Sequence, residues 1–474
     1  MTVSDRPLAA VPSMLGGSIE LPSYPCTHPA PRRVSPWTAE AGTAGTVAVV
    51  GAGKMGLPLC AQFAGHGWRV IAVDIAASVV DSINAGISHV DGEPGLAEGV
   101  ARAHAEGLLS ATLDAAAAAR EADVVVLIVP VMLDDEQQPD YRYMDAAVAS
   151  VAPGLHAGST VIFETTLPVG DTRTRFAPRI EGATGLAAEQ DVFVAFSPER
   201  LYSGHALANL AQYPKLVGGL GDESRRRAAG FYASVLDAPV VAMSSAEAAE
   251  FSKLADTTYR DVNIALANEY ARYADRVGVD ILEVIAAANT QPYSHIHQPG
   301  IGVGGHCIPV YPHFLLSRAP EMELVSLSRR VNDGQIGIAI KALQKELGSL
   351  EGVEVLVLGL TYRDGVKELA YSRALPLIER LAFHGAVVSA YDPLMTPEEI
   401  ERCGARPWAW GEASPARAIV TQTADPAFAT LAWGWFPELG VVYDGRNSLR
   451  AVDLPAGVAY HGVGVPAALR SPGR

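Results

Sequence analysis

A glycine-rich turn, Gly51-Ala52-Gly53-Lys54-Met55-Gly56, sits between a β-branched run at Thr46–Val50 and a helical stretch at 55–65, and it constrains this chain more than any other feature. Glycines in that spacing let a strand turn sharply into a helix while the backbone approaches a pyrophosphate, whose charge is favoured at the helix N-terminus. Asp74 lies 23 residues beyond Gly51, at the end of a second apolar run (70–74). A carboxylate there accepts from ribose hydroxyls and repels a 2′-phosphate. No arginine follows Asp74 at once. The pattern predicts a βαβ unit that binds NAD in preference to NADP, with Gly51, Gly53, Lys54, Met55, Gly56 and Asp74 around the cofactor.

Strand and helix signals keep alternating after that unit. Buried strands are expected at 124–129, Thr160–Phe163, 192–196 and Val240–Ala242, with an alanine-rich helix at 113–120. Apolar strands separated by helices belong to a parallel sheet covered on both faces. From Ser244, whose spacing to Glu247 suits a capping box, no Gly or Pro interrupts the chain until Gly278. A helix of that length spans roughly 50 Å at 1.5 Å per residue. Such a spine is often shared between subunits, so a homodimer through it is expected. Further on, 353–358, 372–384 and 386–392 repeat the strand–helix–strand order, down to an acidic residue closing the second strand, Asp392 against Asp74. Only Gly359 stands where the fingerprint would be.

The expected fold class is therefore α/β, two Rossmann-like doubly wound domains joined by a long central helix. The expected division is a poorly ordered leader (1–44), an NAD-binding domain (45–243), a central helical and dimerisation domain (244–350), and a second Rossmann-like domain (351–474) that holds something other than the dinucleotide.

Composition narrows the function classes. The 474 residues carry 36 Lys and Arg against 52 Asp and Glu, a net charge of −16. Neither nucleic acid nor an anionic membrane is an expected partner, since phosphates need a basic face. The longest apolar run, 124–133, has Pro130 inside it and reaches half the length of a membrane helix. The first 44 residues lack a basic start followed by an apolar stretch, so they do not read as a signal peptide. Cys26, Cys60, Cys307 and Cys403 lie far apart with no CxxC pair, which points to reduced thiols in the cytoplasm.

Glycines also crowd before a cysteine in Gly302-Val303-Gly304-Gly305-His306-Cys307-Ile308-Pro309, which suggests that a ligand approaches the backbone there. A thiol at the carbonyl of a dehydrogenase traps an aldehyde as a thiohemiacetal, which is then oxidised to a thioester. Lys253 lies on the long helix with Thr257 and Arg260 at i+4 and i+7 on one face, and a cation there would stabilise a developing alkoxide. Glu199, in Ser197-Pro198-Glu199-Arg200, follows a buried strand at the edge where open α/β sheets bind ligands. A carboxylate in that place suits a base for water or hydroxyl. Glu164 opens Glu164-Thr165-Thr166-Leu167-Pro168 after another strand, either as a functional carboxylate or as an acceptor for loop amides. His295 and His297 flank Ile296 with a spacing suited to phosphates. Two histidines without a third ligand do not make a metal site, and no metal is expected. Three classes stay open on these residues: a four-electron dehydrogenase using Cys307, a two-electron hydroxy-compound dehydrogenase without need of it, and an NAD-binding protein with weak turnover.

In order, GAGKMGLPL (51–59), ETTLPVG (164–170), SPER (197–200), YPKLVGG (213–219), YRDVNIALANE (259–269) and GVGGHCIP (302–309) resemble the UDP-glucose/GDP-mannose dehydrogenase family. The resemblance implies NAD on the first domain, the nucleotide of a nucleotide-sugar held largely by the second, and a dimer. It also implies oxidation of the sugar's C6 alcohol to an acid by two NAD through an enzyme thioester. By the same resemblance Cys307 is the nucleophile, Lys253 the oxyanion stabiliser and Glu199 the acid/base for thioester hydrolysis. Glu164 and Thr165 are then expected to border the cofactor, with Pro130 beside it where many relatives have a Thr-containing turn, and Arg260, His295, His297, Gly304, Gly305 and Arg363 to border the substrate. This chain carries Thr257 where the family commonly has Asn and Tyr311 where it commonly has Asp, two further candidates at the catalytic centre. Ala370-Tyr371-Ser372 replaces an Arg-Glu-Ser run. Loss of the Asp leaves two outcomes, complete oxidation or release at the aldehyde. SPER, NIALANE and GGHCIPV are closer to the branch acting on UDP-N-acetylhexosamines, whereas Tyr311 and Ala370 fit a divergent pattern serving UDP-glucose or dTDP-glucose.

Overall fold

The computed structural model describes residues 44–202 and 204–469. The expected leader therefore lies outside the described residues, apart from Ala44. The apolar runs of the first half form β1 (Thr46–Val50), β2 (Arg69–Val73), β3 (Leu109–Thr112) and β4 (Val124–Leu127). A small ribbon, β5 (Met132–Leu133) with β6 (Pro139–Asp140), precedes β7 (Thr160–Phe163), β8 (Phe193–Phe196), β9 (Lys215–Gly219) and β10 (Val240–Ala242). The sheet runs β10-β9-β8-β7-β4-β1-β2-β3. In β1 and β4, Ala48, Val50, Val125 and Leu127 face one apolar layer while Val47, Val49, Val124 and Val126 face the other. Such strands read as unbroken apolar runs because helices cover both sides. The parallel expectation holds except at one place: β8 and β9 pair antiparallel.

Strand order reverses between β1 and β4, with β2 on one side of β1 and β4 on the other. In open α/β sheets a ligand crevice forms outside the carboxyl ends at such a point. Strand ends differ from expectation for local reasons. β2 stops at Val73 because the Asp74 carboxylate turns back to accept from the amides of Ala52 and Ala76, each at 3.0 Å. β4 stops at Leu127, three residues before Pro130, which has no N–H for a ladder.

The long helix spans Ala246–Val277 and ends at Gly278, whose φ of 73° is the left-handed C-cap geometry. Its N-cap is Ser245, whose hydroxyl accepts from the Ala248 amide at 3.2 Å. The expected Ser244–Glu247 box is thus corrected by one residue, and the Glu247 carboxylate is taken by Arg173 at 2.5 Å. Against this helix lies Glu323–Asp333, where Arg329 meets Asp261 at 2.6 Å with both side chains buried. Asn332 joins the same carboxylate at 2.8 Å and Asn268 at 3.0 Å. A buried charge needs pairing, and although Asp261 Oδ2 and Arg329 Nε have no hydrogen-bond partner among the described residues, the network ties the two helices in one register.

The second sheet consists of β11 (Glu354–Leu358), β12 (Val387–Tyr391), β13 (Arg406–Pro407), β14 (Ala418–Thr421), β15 (Val441–Asp444) and β16 (Ala459–Gly462). Its order is β13-β12-β11-β14-β15-β16, parallel throughout. The helix expected at 372–384 is Ala374–Phe383. Asp392 repeats the device of Asp74, accepting from the amides of Leu360 (2.7 Å) and Thr361 (3.1 Å) in the turn after β11.

Candidate active site

The cofactor groove starts where β1 ends. A Cβ on Gly56 would lie 1.8 Å from the carbonyl oxygen of Gly51, so only glycine lets the helix Gly56–Gly65 begin this close to the strand. Gly51 holds φ +100°, while beyond Gly53 there is open space. The loop thus offers backbone at the mouth of a helix N-terminus with room for a pyrophosphate. Asp74, at the end of β2, has two further acceptor lone pairs for a ribose. These residues fit NAD. Thr165 donates to the Val129 carbonyl at 2.6 Å, fixing the turn that carries exposed Pro130 at the same edge. Met55 forms the N-cap of the first helix. Lys54 reaches across to Glu368 of the C-terminal half at 2.7 Å, and His306 stands 3.6 Å from the same carboxylate. His306 and then Lys54 hold that carboxyl far below the usual range despite partial burial. The glycine loop and the loop before Cys307 are therefore tied through one residue of the second domain.

Cys307 is half-buried, and its carbonyl accepts from the amides of Val310 (3.2 Å) and Tyr311 (2.9 Å) at the start of the helix Tyr311–Leu316. The Tyr311 phenol interacts with Cys307 and with Thr166 through side-chain hydrogen bonds, and burial first, then the Cys307 charge, pushes it well above its ordinary value. Lys253 is buried on the long helix with its Nζ 5.9 Å from the Tyr311 ring centre. Burial pulls the ammonium below its usual range, and the fields of Cys307 and Glu199 pull it partly back. Thr257, fully buried one turn along, donates to the Lys253 carbonyl at 3.1 Å. Its hydroxyl hydrogen is thus spent on the helix. Glu199 accepts from the Leu201 amide at 2.7 Å through Oε1, while Oε2 is buried without a hydrogen-bond partner.

Glu164 is placed differently from the expectation of a cofactor contact. Its carboxylate is fully buried, accepting from Lys215 at 2.8 Å and from the Tyr232 hydroxyl. It faces the interior because β7 ends there against β8, and the neighbouring Thr165 takes the groove side. The glycines before Cys307 also read otherwise than expected. A Cβ on Gly304 would meet the Tyr371 carbonyl at 2.9 Å, and one on Gly305 the Tyr362 ring at 3.1 Å. The close approach that requires glycine is made by the chain's own segment after β11.

Two cations meet at Tyr202, one from the long helix and one from the turn after β11. Arg260 donates to the Tyr202 hydroxyl at 2.9 Å, and the guanidinium of Arg363 lies 5.8 Å from the same ring's centre. His297 has a buried Nε2 without a partner, and its burial near Arg260 favours the neutral ring. Exposed His295 is fixed through its carbonyl, which accepts from Asn263 at 2.7 Å. Two residues escaped the sequence reading. Arg446 follows β15 and donates to the Gln422 carbonyl at 2.8 Å. The Gln422 side chain is itself fully buried with both polar atoms unpartnered among the described residues. The only signal for either was its place just after a strand, which needed β14 and β15 to be recognised first. An array of cations beside unsatisfied donors and acceptors suits a phosphorylated ligand.

Comparison with known proteins agrees with this geometry. The NAD binding domain of the UDP-glucose/GDP-mannose dehydrogenase family matches residues 45–236, its central domain 247–334 and its UDP binding domain 356–451. The chain is similar to the UDP-N-acetyl-D-mannosamine dehydrogenase of Pyrococcus horikoshii, 34% identical over 428 residues, covering 88% of this chain and 99% of that one. The solved structure of that archaeal enzyme superposes with a TM-score of 0.80. An NDP-N-acetyl-D-galactosaminuronic acid dehydrogenase of Ralstonia nicotianae is 34% identical over 71% of this chain and 80% of its own length. The UDP-glucose dehydrogenase of Pyrobaculum islandicum, 26% identical, covers 90% of this chain and 99% of its own, with a TM-score of 0.79. With its three domains matched in order, the chain belongs to the UDP-glucose/GDP-mannose dehydrogenase family of NAD-dependent oxidoreductases.

Proposed function

We propose that this protein oxidises the C6 alcohol of a nucleotide-sugar to the uronate with two NAD, through a thiohemiacetal and a thioester on Cys307. The observation that supports this most is the convergence of a half-buried thiol, a buried lysine and a carboxylate with an unpartnered oxygen around one point. A UDP-N-acetylhexosamine is the favoured substrate, because relatives over most of the chain carry UDP-N-acetyl-D-mannosamine dehydrogenase as their name. The proposal divides the chain as the sequence suggested, with NAD on 45–243, helical joining and dimerisation in 244–350, and the nucleotide on 351–474.

Bound at the fingerprint, NAD supplies the hydride acceptor for both oxidations. The protein's part begins with the alcohol, whose hydroxyl proton passes to solvent water as the hydride leaves and whose developing alkoxide lies beside the Lys253 ammonium. The Cys307 sulfur then adds to the aldehyde carbon, forming a C–S bond while the carbonyl oxygen takes a proton. After the second oxidation the thioester carbonyl again faces Lys253. Water adds as Glu199 takes its proton, the C–S bond breaks, and the sulfur leaves as thiolate. The arginines 260, 363 and 446 hold the diphosphate in this scheme. A homodimer follows from the long helix: Tyr259, Leu266, Tyr270, Tyr273 and Val277 are exposed along one face. Large apolar groups in one stripe mark an interaction surface. Free thiols at Cys60, Cys307 and Cys403 fit the cytoplasm. Among the described residues no helix is long and apolar enough to cross a membrane.

Counting NADH per sugar consumed tests the proposal, with UDP-N-acetyl-D-mannosamine, UDP-glucose and dTDP-glucose as substrates. Two NADH on the first of these is the expected result. One NADH with free aldehyde would show that Tyr311 in place of Asp cuts the reaction in half, and no turnover on any of them would overturn it.

A further inference from the structure

Behind Glu199 lies a buried charge cluster that the mechanism above does not use. The Lys215 ammonium, on β9, lies 2.8 Å from a Glu164 oxygen and 3.7 Å from the unpartnered oxygen of Glu199. Side-chain exposure is 7% for Lys215, none for Glu164 and 12% for Glu199, so solvent contributes little to their balance. Tyr232, on the helix Asp222–Val235, donates its hydroxyl to the other Glu164 oxygen, and its ring centre lies 4.8 Å from the Lys215 ammonium. The antiparallel turn of β9 onto β8 is what brings Lys215 beneath the carboxyl ends of β7 and β8.

We infer that Glu164 and Lys215 are positioning residues that set the charge of Glu199 and so govern the hydrolytic half of the reaction. One buried ammonium faces two buried carboxylates, and like charges that close do not both ionise freely. The Lys215 ammonium is thus divided between the two carboxylates, and a change in any one of the three alters the field on the other two. Burial, opposed by Lys215 and reinforced by Glu199, lifts the Glu164 carboxyl to about 7. The groups that face this cluster from neighbouring elements are Ser197 after β8, Tyr232, Lys253 on the long helix, and Cys307 with Tyr311. Of these, Lys253 brings a second positive charge near Glu199. Thioester hydrolysis needs Glu199 as a carboxylate, so its acidic limb reports the cluster directly.

The inference rests on the proposed Cys307 thioester, and its test separates the two. With UDP-N-acetyl-D-mannosamine and NAD, intact mass follows the Cys307 adduct and its decay across pH 5 to 9 in single turnover. Glu164→Gln leaves Lys215 to Glu199 alone, and the acidic limb of decay moves to lower pH. Lys215→Met leaves two carboxylates to share a proton, and the limb moves to higher pH, each by about one unit or more. Lys215→Arg, which keeps the charge, returns the limb toward the wild-type position. Limbs that stay put, or that move in the same direction for both variants, overturn the inference while the adduct itself leaves the thioester reading standing. Absence of any adduct in wild type and in Glu199→Gln overturns that reading instead. Should Lys215→Met not fold, the near-isosteric Glu164→Gln decides alone: a limb that is unmoved or raised overturns the inference.

Discussion

Beside Cys307 a phenol stands where a carboxylate is commonly found, and the two are not equivalent. A carboxylate would be a second negative group near the thiol, able to take a proton from water. Burial keeps the Tyr311 phenol neutral beside Cys307. In the proposed mechanism, deprotonation of water therefore falls to Glu199. Tyr311→Phe removes the hydroxyl, and with it hydrogen bonding worth about 1 kcal/mol. Steady-state assays should then show kcat lowered about five- to tenfold with the fold intact, and a variant at wild-type kcat would remove Tyr311 from the catalytic centre. The placement of candidates at this scale was legible where chemistry is scarce: a half-buried cysteine after glycines and a buried lysine on the long helix. Glu164 was not, because its direction depends on Lys215 and Tyr232, which lie 51 and 68 residues away and reach it only through β8, β9 and a packed helix.

Elements that carry strong local signals were readable to within a residue or two. β1, β7 and β10 coincide with expectation, since each is a short apolar run bounded by Gly, Ser or a turn. The antiparallel β9 was missed as a strand, because its Lys215 and two glycines dilute the pattern. The long helix was readable from the absence of Gly and Pro, but its cap was misassigned between two adjacent serines. Ser245→Ala should lower stability by about 1 kcal/mol in chemical denaturation, whereas Ser244→Ala should not. The fingerprint is stricter. A methyl group at Gly56 meets backbone rather than a flexible side chain, so Gly56→Ala should weaken NAD binding by more than tenfold by calorimetry. Unchanged affinity would mean that the cofactor does not sit on this turn.

Across the whole molecule, the two sheets present their carboxyl ends toward one another through the long helix and the loop before Cys307. The Lys54–Glu368 contact spans that gap, so groove and second domain meet at a defined distance. The outer face of the same helix supplies the proposed dimer surface. Tyr273 is 63% exposed in the C-terminal half of that stripe. Tyr273→Arg would set a charge where an apolar face should close, and sedimentation velocity should show a dimer for wild type and mostly monomer for the variant. A monomeric wild type would remove the helix as an interface. The two-domain plan was legible because β11, Asp392 and β12 repeat the first unit in sequence. The meeting of Arg260 and Arg363 at Tyr202 was not, because it is created only by folding the second sheet against the helix.

The central claim is that the sugar passes to the acid while bound to Cys307. Cys307→Ala with UDP-N-acetyl-D-mannosamine and excess NAD, products separated and weighed by mass spectrometry, tests it most directly. The account predicts no uronate and at most one NADH per sugar. Uronate formed by Cys307→Ala at a rate near that of wild type would contradict it.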